Sequence, residues 1–163
     1  MRVGLTAGFI AGAAALAVVA AKAADPASGD RAATFNSNCS MCHQHAAAGL
    51  PGQYPRLAGR VGRIAATAAG HAYLERVVLF GMAGTITVDG SSIFGVMPSF
   101  ASLSNEDLAA ALNYVANLDD HGQLRWKGAV FSPADIAGAR AGAQLSPTQV
   151  LHLRATAVSA KDD

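Results

Sequence analysis

The chain is short of cysteine, of net charge and of long apolar runs, and each shortage removes a class of protein. Only two cysteines, Cys39 and Cys42, occur in 163 residues. A structural zinc site would need a second Cys or His pair at ligand spacing, and no further cysteine exists to supply it. A thioredoxin-like redox pair would sit in a βαβ pattern, and no such pattern surrounds these two. Charge is balanced, with 12 Lys+Arg against 11 Asp+Glu and a formal net charge of +1. That balance argues against a nucleic-acid partner and against strong steering by one sign of charge. One long apolar stretch exists, Val3 to Ala20, and nothing after it is long and apolar enough to span a bilayer.

That stretch reads as part of a secretory signal. Arg2 precedes the Ala- and Gly-rich run, and Ala21 and Ala23 bracket Lys22 just ahead of Asp25-Pro26. This three-part form places cleavage after Ala23 or Ala24. An uncleaved membrane anchor is the competing reading, since the run approaches the ~18–20 residues that span a bilayer. Small, weakly hydrophobic residues and the A-x-A-like site favour cleavage. Removal of residues 1–23 leaves about 140 residues, enough for one domain with a single core. It also removes Arg2 and Lys22, which brings the basic count from 12 to 10 against 11 acidic residues.

What the chain does have is concentrated at Cys39-Ser40-Met41-Cys42-His43. Two thiols separated by two residues can add across the two vinyl groups of one porphyrin. The adjoining imidazole then lies where a ring nitrogen reaches the iron, so C-x-x-C-H reads as c-type haem attachment. Export fits, and cysteines outside the cytoplasm usually form disulfides. Here the haem would consume both, so no disulfide is expected. With His43 on one side, the sixth position needs a donor from Met82, Met97, His45, His71, His121 or His152. Met41 is excluded, because it lies between the anchoring cysteines. Met97 stands out through its setting, Phe94-Gly95-Val96-Met97-Pro98-Ser99-Phe100. Gly95 lets the chain pass close to a macrocycle, and Pro98 stiffens the residue after the sulfur. Met97 also lies 54 residues after His43, enough chain to reach the opposite face. Met82 is the reserve.

Periodicity makes the domain mostly helical. A helix opens at Gly29-Asp30 and puts Phe35 on the face of Cys39. Gly49 to Gly62 reads as loop, containing Tyr54-Pro55-Arg56-Leu57. The Pro55 carbonyl is the expected acceptor for the second nitrogen of His43, since metal-bound histidines need such a partner. An amphipathic helix follows over Ala72 to Gly81, and then Gly84 to Val96 is a loop or small hairpin turned at Asp89-Gly90. No convincing sheet pattern appears. Ser104 caps a last strong helix with Asp107 three residues on, its stripe being Leu108, Leu112, Val115 and Leu118 with Tyr114 alongside.

With CSMCH, the Pro55-Arg56-Leu57 loop, Met97-Pro98 and the Tyr114 helix in this order, the chain resembles the class I (mitochondrial-type) bacterial cytochromes c from Gly29 to Leu118. The resemblance implies a cytochrome c-like helical fold around one covalent haem c. It implies that the first and last helices cross beside the haem, with Phe35 against Leu112 or Tyr114. The family usually has glycine eight residues before the first cysteine; here Arg31 stands there, so a shifted or looser crossing is expected. Tyr73 to Phe100 is also similar to the small cytochromes that accept electrons from bacterial dehydrogenases, including the haem domains of alcohol and sugar dehydrogenase systems, a likeness that names no substrate. The domain plan is thus a signal over 1–23, a haem domain over 24–120 and an extension over 121–163.

That extension contains a near-repeat. Ser132-Pro133-Ala134-Asp135-Ile136 and Ser146-Pro147-Thr148-Gln149-Val150 each pair a capping Ser with Pro at the first helical position, so each starts a short helix. The two helices either cap the haem domain or dock a partner subunit. The functional expectation is a periplasmic single-electron carrier, not itself an enzyme, acting as acceptor or haem subunit for a dehydrogenase, with that donor and a terminal acceptor as partners. Its rival is a small haem enzyme or gas-binding protein with an open sixth site. A haem-bearing sensor or assembly module, working through the extension, is the third and weakest reading.

Overall fold

A computed structural model describes residues 27–159, with side chains from Arg31 onward, besides Met1. The expected signal over 1–23 lies outside the described residues, as does the last stretch from Ala160. The elements run α1 (Ala27–Asn38), α2 (Ser40–His43), α3 (Val61–Ile64), α4 (Ala68–Phe80), β1 (Met82–Val88), β2 (Ser91–Met97), α5 (Asn105–Ala116), α6 (Pro133–Ala141) and α7 (Pro147–Ala157). The architecture is a mostly helical cytochrome-like fold, as the sequence indicates, with one small sheet added.

The frame is the crossing of α1 and α5. Phe35 is fully buried and its ring lies 5.3 Å from that of Tyr114, tilted at 43°. Leu108, Leu112, Val115 and Leu118 are all buried in the same core cluster. Burying a Phe or Leu side chain contributes ~1.5–3 kcal/mol, so this stripe sets the crossing. Arg31 stands eight residues before Cys39, on α1. Its guanidinium lies 3.9 Å over the ring of Trp126 in the extension. Ser104 caps α5 by accepting from the backbone N–H of Asp107, and its hydroxyl donates to the Asp107 carboxylate at 2.7 Å.

Two boundaries differ from the expectation. α1 begins at Ala27, ahead of Gly29-Asp30. α4 begins at Ala68 rather than Ala72, because the Thr67 side chain caps it by accepting from Gly70 N–H. Ala-Ala-Gly-His has no apolar rhythm to reveal that first turn. The segment after α4 is a regular sheet of two seven-residue strands, where the sequence shows no convincing sheet pattern. Asp89 and Gly90 both take positive φ (51° and 74°), the requirement of a tight two-residue hairpin turn. The alternation is masked because the outer face, Thr85, Phe94 and Val96, mixes polar and exposed apolar residues.

α6 and α7 start where their Ser-Pro signals say, each with a full capping box. They do not form a separate unit. Phe131, Ile136 and Val150 are fully buried in the same cluster as Phe35, Tyr73 and Leu112. α7 packs on α4 and on β1, so the extension closes the side of the domain that carries the hairpin.

A candidate functional cleft between the CSMCH turn and the hairpin

The CSMCH turn stays helical through backbone hydrogen bonds from Cys42 and His43 N–H to the Cys39 carbonyl (3.2 and 3.0 Å). This puts both thiols and the imidazole on one turn. Met41, between the two cysteines, is 86% exposed at the rim of the cleft. Immediately after, the chain doubles back. Gln44, Ala46 and Ala47 all take positive φ. The carbonyl of the fully buried Ala47 accepts from both Leu57 and Ala58 N–H, which fixes the returning loop beneath the motif.

That loop brings the Pro55 carbonyl to 3.0 Å from His43 Nδ1. A carbonyl can only accept, so Nδ1 carries the proton and Nε2 presents its lone pair. Burial lowers the pKa of His43, while the Pro55 hydrogen bond pulls the other way. The ring is therefore neutral and able to ligate. Burial pushes the Cys39 thiol up to about 11, with Cys42 adding to the effect. Cys39 is thus protonated at neutral pH and a poor thiolate donor toward a bare metal ion.

The cleft beside this turn has two connected lobes, of about 810 and 930 Å³ including their open mouths. Cys39, His43, Pro55, Met82, Ile86 and Met97 line both. The inner lobe is otherwise walled by Phe35, Tyr73, Val77 and Leu112, and the outer by Met41, Cys42, Tyr54 and Phe100. A flat, apolar, iron-centred macrocycle suits this lining, with thiols at the edge and an imidazole and thioethers as donors. The inner lobe also receives Arg56, Arg60 and Arg154, cations able to face the two carboxylates that a haem carries. Arg60 is buried, which lowers its pKa, and Asp89 opposes that fall at 3.3 Å.

Met97 ends β2, and the residues after it are pinned to α4. Phe100 N–H donates to the Val78 carbonyl (2.9 Å), and the Ser99 hydroxyl donates to that of Leu79. Gly81, with φ of 75°, makes room for this: a Cβ there would lie 2.5 Å from the Met97 carbonyl. A Cβ at Gly95, by contrast, would meet no protein atom. Met82 is the register partner of Met97. His45, His121 and His152 are exposed.

The sequence reading passed over two features of this neighbourhood. Arg56 bridges the proximal loop to the hairpin tip, donating through Nε and Nη2 to the Asp89 carboxylate at 2.9 Å each. Its single signal in the sequence was an arginine beside Pro55, which names no partner. The other is the tight group that His71, a candidate for the sixth position in the sequence, makes with Glu75 and Asp135. The His71 Nδ1 lies 2.9 Å from Glu75 and its Nε2 3.0 Å from the Val130 carbonyl, with the ring stacked on Phe131. Both nitrogens are committed and the Asp135 carboxylate caps Ser132, so the group ties the extension to α4.

Crossed helices, a C-x-x-C-H turn and an apolar cleft with imidazole and thioether donors define a protein built to hold covalent haem. Residues 26–115 match the family model described as cytochrome c oxidase, cbb3-type, subunit III. Cytochrome c-552 of Thermus thermophilus is 39% identical over 119 residues, covering 73% of this chain and 90% of that protein. A second cytochrome c-552, from a named strain of Thermus thermophilus, shows the same 39% identity over 119 residues, covering 73% of this chain and 80% of its own length. The chain belongs to the c-type cytochromes, as a small bacterial member of class I. Covalent haem c and electron transfer to redox partners come with that membership. Among the described residues no helix is long and apolar enough to cross a membrane.

Proposed function

We propose that this protein is a periplasmic carrier of single electrons with one haem c, receiving them from a dehydrogenase and passing them to a terminal acceptor. In this reading Cys39 and Cys42 form the thioether links, and His43 is the proximal ligand with Pro55 orienting it. Met97 is the distal ligand. The observation that carries it is the 3.0 Å contact from His43 Nδ1 to the Pro55 carbonyl, which leaves Nε2 facing a cleft also lined by Met97.

When bound, the haem supplies reversible one-electron chemistry at iron. The chain's part is to set the terms. An apolar lining and a thioether donor both favour the less charged ferrous state, so imidazole–thioether ligation gives a higher potential than two imidazoles. Were His43 and Met97 both to hold the iron, no position would be left for a small ligand. Electrons would leave at the edge beside Cys42, where exposed Met41, Tyr54 and Val96 surround the outer lobe. A patch of that kind suits a small, transient interface. The signal-like segment over 1–23 supports export, and the stretch from Tyr73 to Phe100 supports the dehydrogenase assignment.

Mild affinity isolation of the tagged protein from its native periplasm tests the partner assignment. The expected result is an enriched dehydrogenase whose substrate reduces the haem in the isolated fraction. Absence of any co-isolated oxidoreductase able to reduce it would remove the dehydrogenase from the account.

A further inference from the structure

Met82 and Met97 are direct register partners at the open end of the hairpin. Residues directly opposed on antiparallel strands share a face, with Cβ atoms ~4.5–5.5 Å apart. On that same face Ile86, Val88 and Ile93 are buried. Both methionine side chains line both lobes of the cleft together with His43. Two thioethers therefore enter the same cleft, side by side, from one rigid element.

Their sulfurs are not in the same state. The Tyr73 hydroxyl donates to Met82 Sδ at 3.2 Å. Tyr73 is buried on α4, and a buried phenol needs a partner, so the contact holds both groups. Among the described residues no donor engages the sulfur of Met97. A hydrogen bond to a thioether occupies a lone pair and draws electron density from the sulfur, which weakens it as a donor to iron. Met97, followed by Pro98 and the pinned Ser99 and Phe100, keeps its lone pairs for coordination.

We infer that Met82 is a second axial thioether, held in reserve by the Tyr73 hydroxyl and able to take the iron when Met97 cannot. This rests on the reading of Met97 as the working ligand, and the two fail differently. The test uses holoprotein variants, read by the sulfur-to-iron(III) charge-transfer band of the oxidised form and by carbon monoxide binding to the reduced form. Met97→Leu is expected to keep the band and to stay closed to carbon monoxide. The double variant M82L/M97L is expected to lose the band and to bind carbon monoxide. Met82→Leu alone is expected to keep the band.

Loss of the band in Met97→Leu overturns the reserve role, whatever Met82→Leu does. Retention in Met97→Leu with loss in Met82→Leu makes Met82 the native ligand, and overturns both the reserve role and the Met97 assignment. The hold by Tyr73 has its own readout, independent of whether the Met97 variant accumulates. In Tyr73→Phe with both methionines present, the upfield methyl proton signal of the iron-bound methionine in the reduced form is expected to split into two. A single unshifted signal there would overturn it.

Discussion

Asn113 is the residue on which the joint between α5 and the extension depends. Its side chain donates to the Phe131 carbonyl at 2.7 Å and accepts from Val130 and Phe131 N–H at 2.6 and 2.9 Å. Truncation would strand the two buried backbone groups of Phe131, each costing ~1–3 kcal/mol when unsatisfied, and free the part-buried Val130 N–H. Asn113→Ala is therefore expected to destabilise the holoprotein by about 3 kcal/mol, read as a drop of roughly 10 °C in Tm. A drop of only a degree or two would mean that the joint does not rely on this side chain. Nothing in the sequence marked Asn113, because an asparagine's value lies in backbone partners 17 and 18 residues away. His43 and its neighbours were legible for the opposite reason. Thioether attachment demands two cysteines and a histidine at one local spacing, and local spacing is what a sequence displays.

The hairpin and the proximal loop are separate elements joined by Arg56 and Asp89. The Arg56 hydrogen bond holds the Asp89 carboxyl below its ordinary value of 3.8, against a smaller opposing effect of burial. A carboxyl lowered by folding adds stability above its unfolded pKa and loses it as pH falls through the folded one. The Asp89 side chain is 47% exposed, so the tie contributes less than ~1 kcal/mol. Asp89→Asn should melt slightly below the parent at pH 6, with the gap closing as pH drops under 3.8. A gap that stays constant with pH would assign the effect to the turn backbone instead. Asp89-Gly90 gave away the turn in the sequence, yet not the strands, since the outer face lacks the alternation that marks a half-buried sheet. The start of α4 hid similarly, with Thr67 its only signal.

At the scale of the molecule, the extension and the haem domain share one core. Val150 and Ile136 are as buried as Phe35, and Leu151 packs against the inner face of the hairpin. Calorimetry of the holoprotein should give a single transition with equal calorimetric and van't Hoff enthalpies. Val150→Ala should shift that whole transition downward, by about 2 kcal/mol for the cavity left. Two resolved transitions, with only one moved by Val150→Ala, would instead make the extension an independent unit. The Ser-Pro starts showed both helices, but their destination depended on Phe131 and Asn113, which no local pattern connects.

The central claim is that the iron is closed on both faces, by His43 and a methionine of the hairpin, so that electrons are all it exchanges. The absorption spectrum of the reduced native holoprotein, recorded before and after saturation with carbon monoxide, tests it most directly. The account predicts a low-spin spectrum that carbon monoxide leaves unchanged at neutral pH. Prompt formation of a carbonyl complex would show an open sixth position and make this a gas-binding or peroxide-handling haem protein.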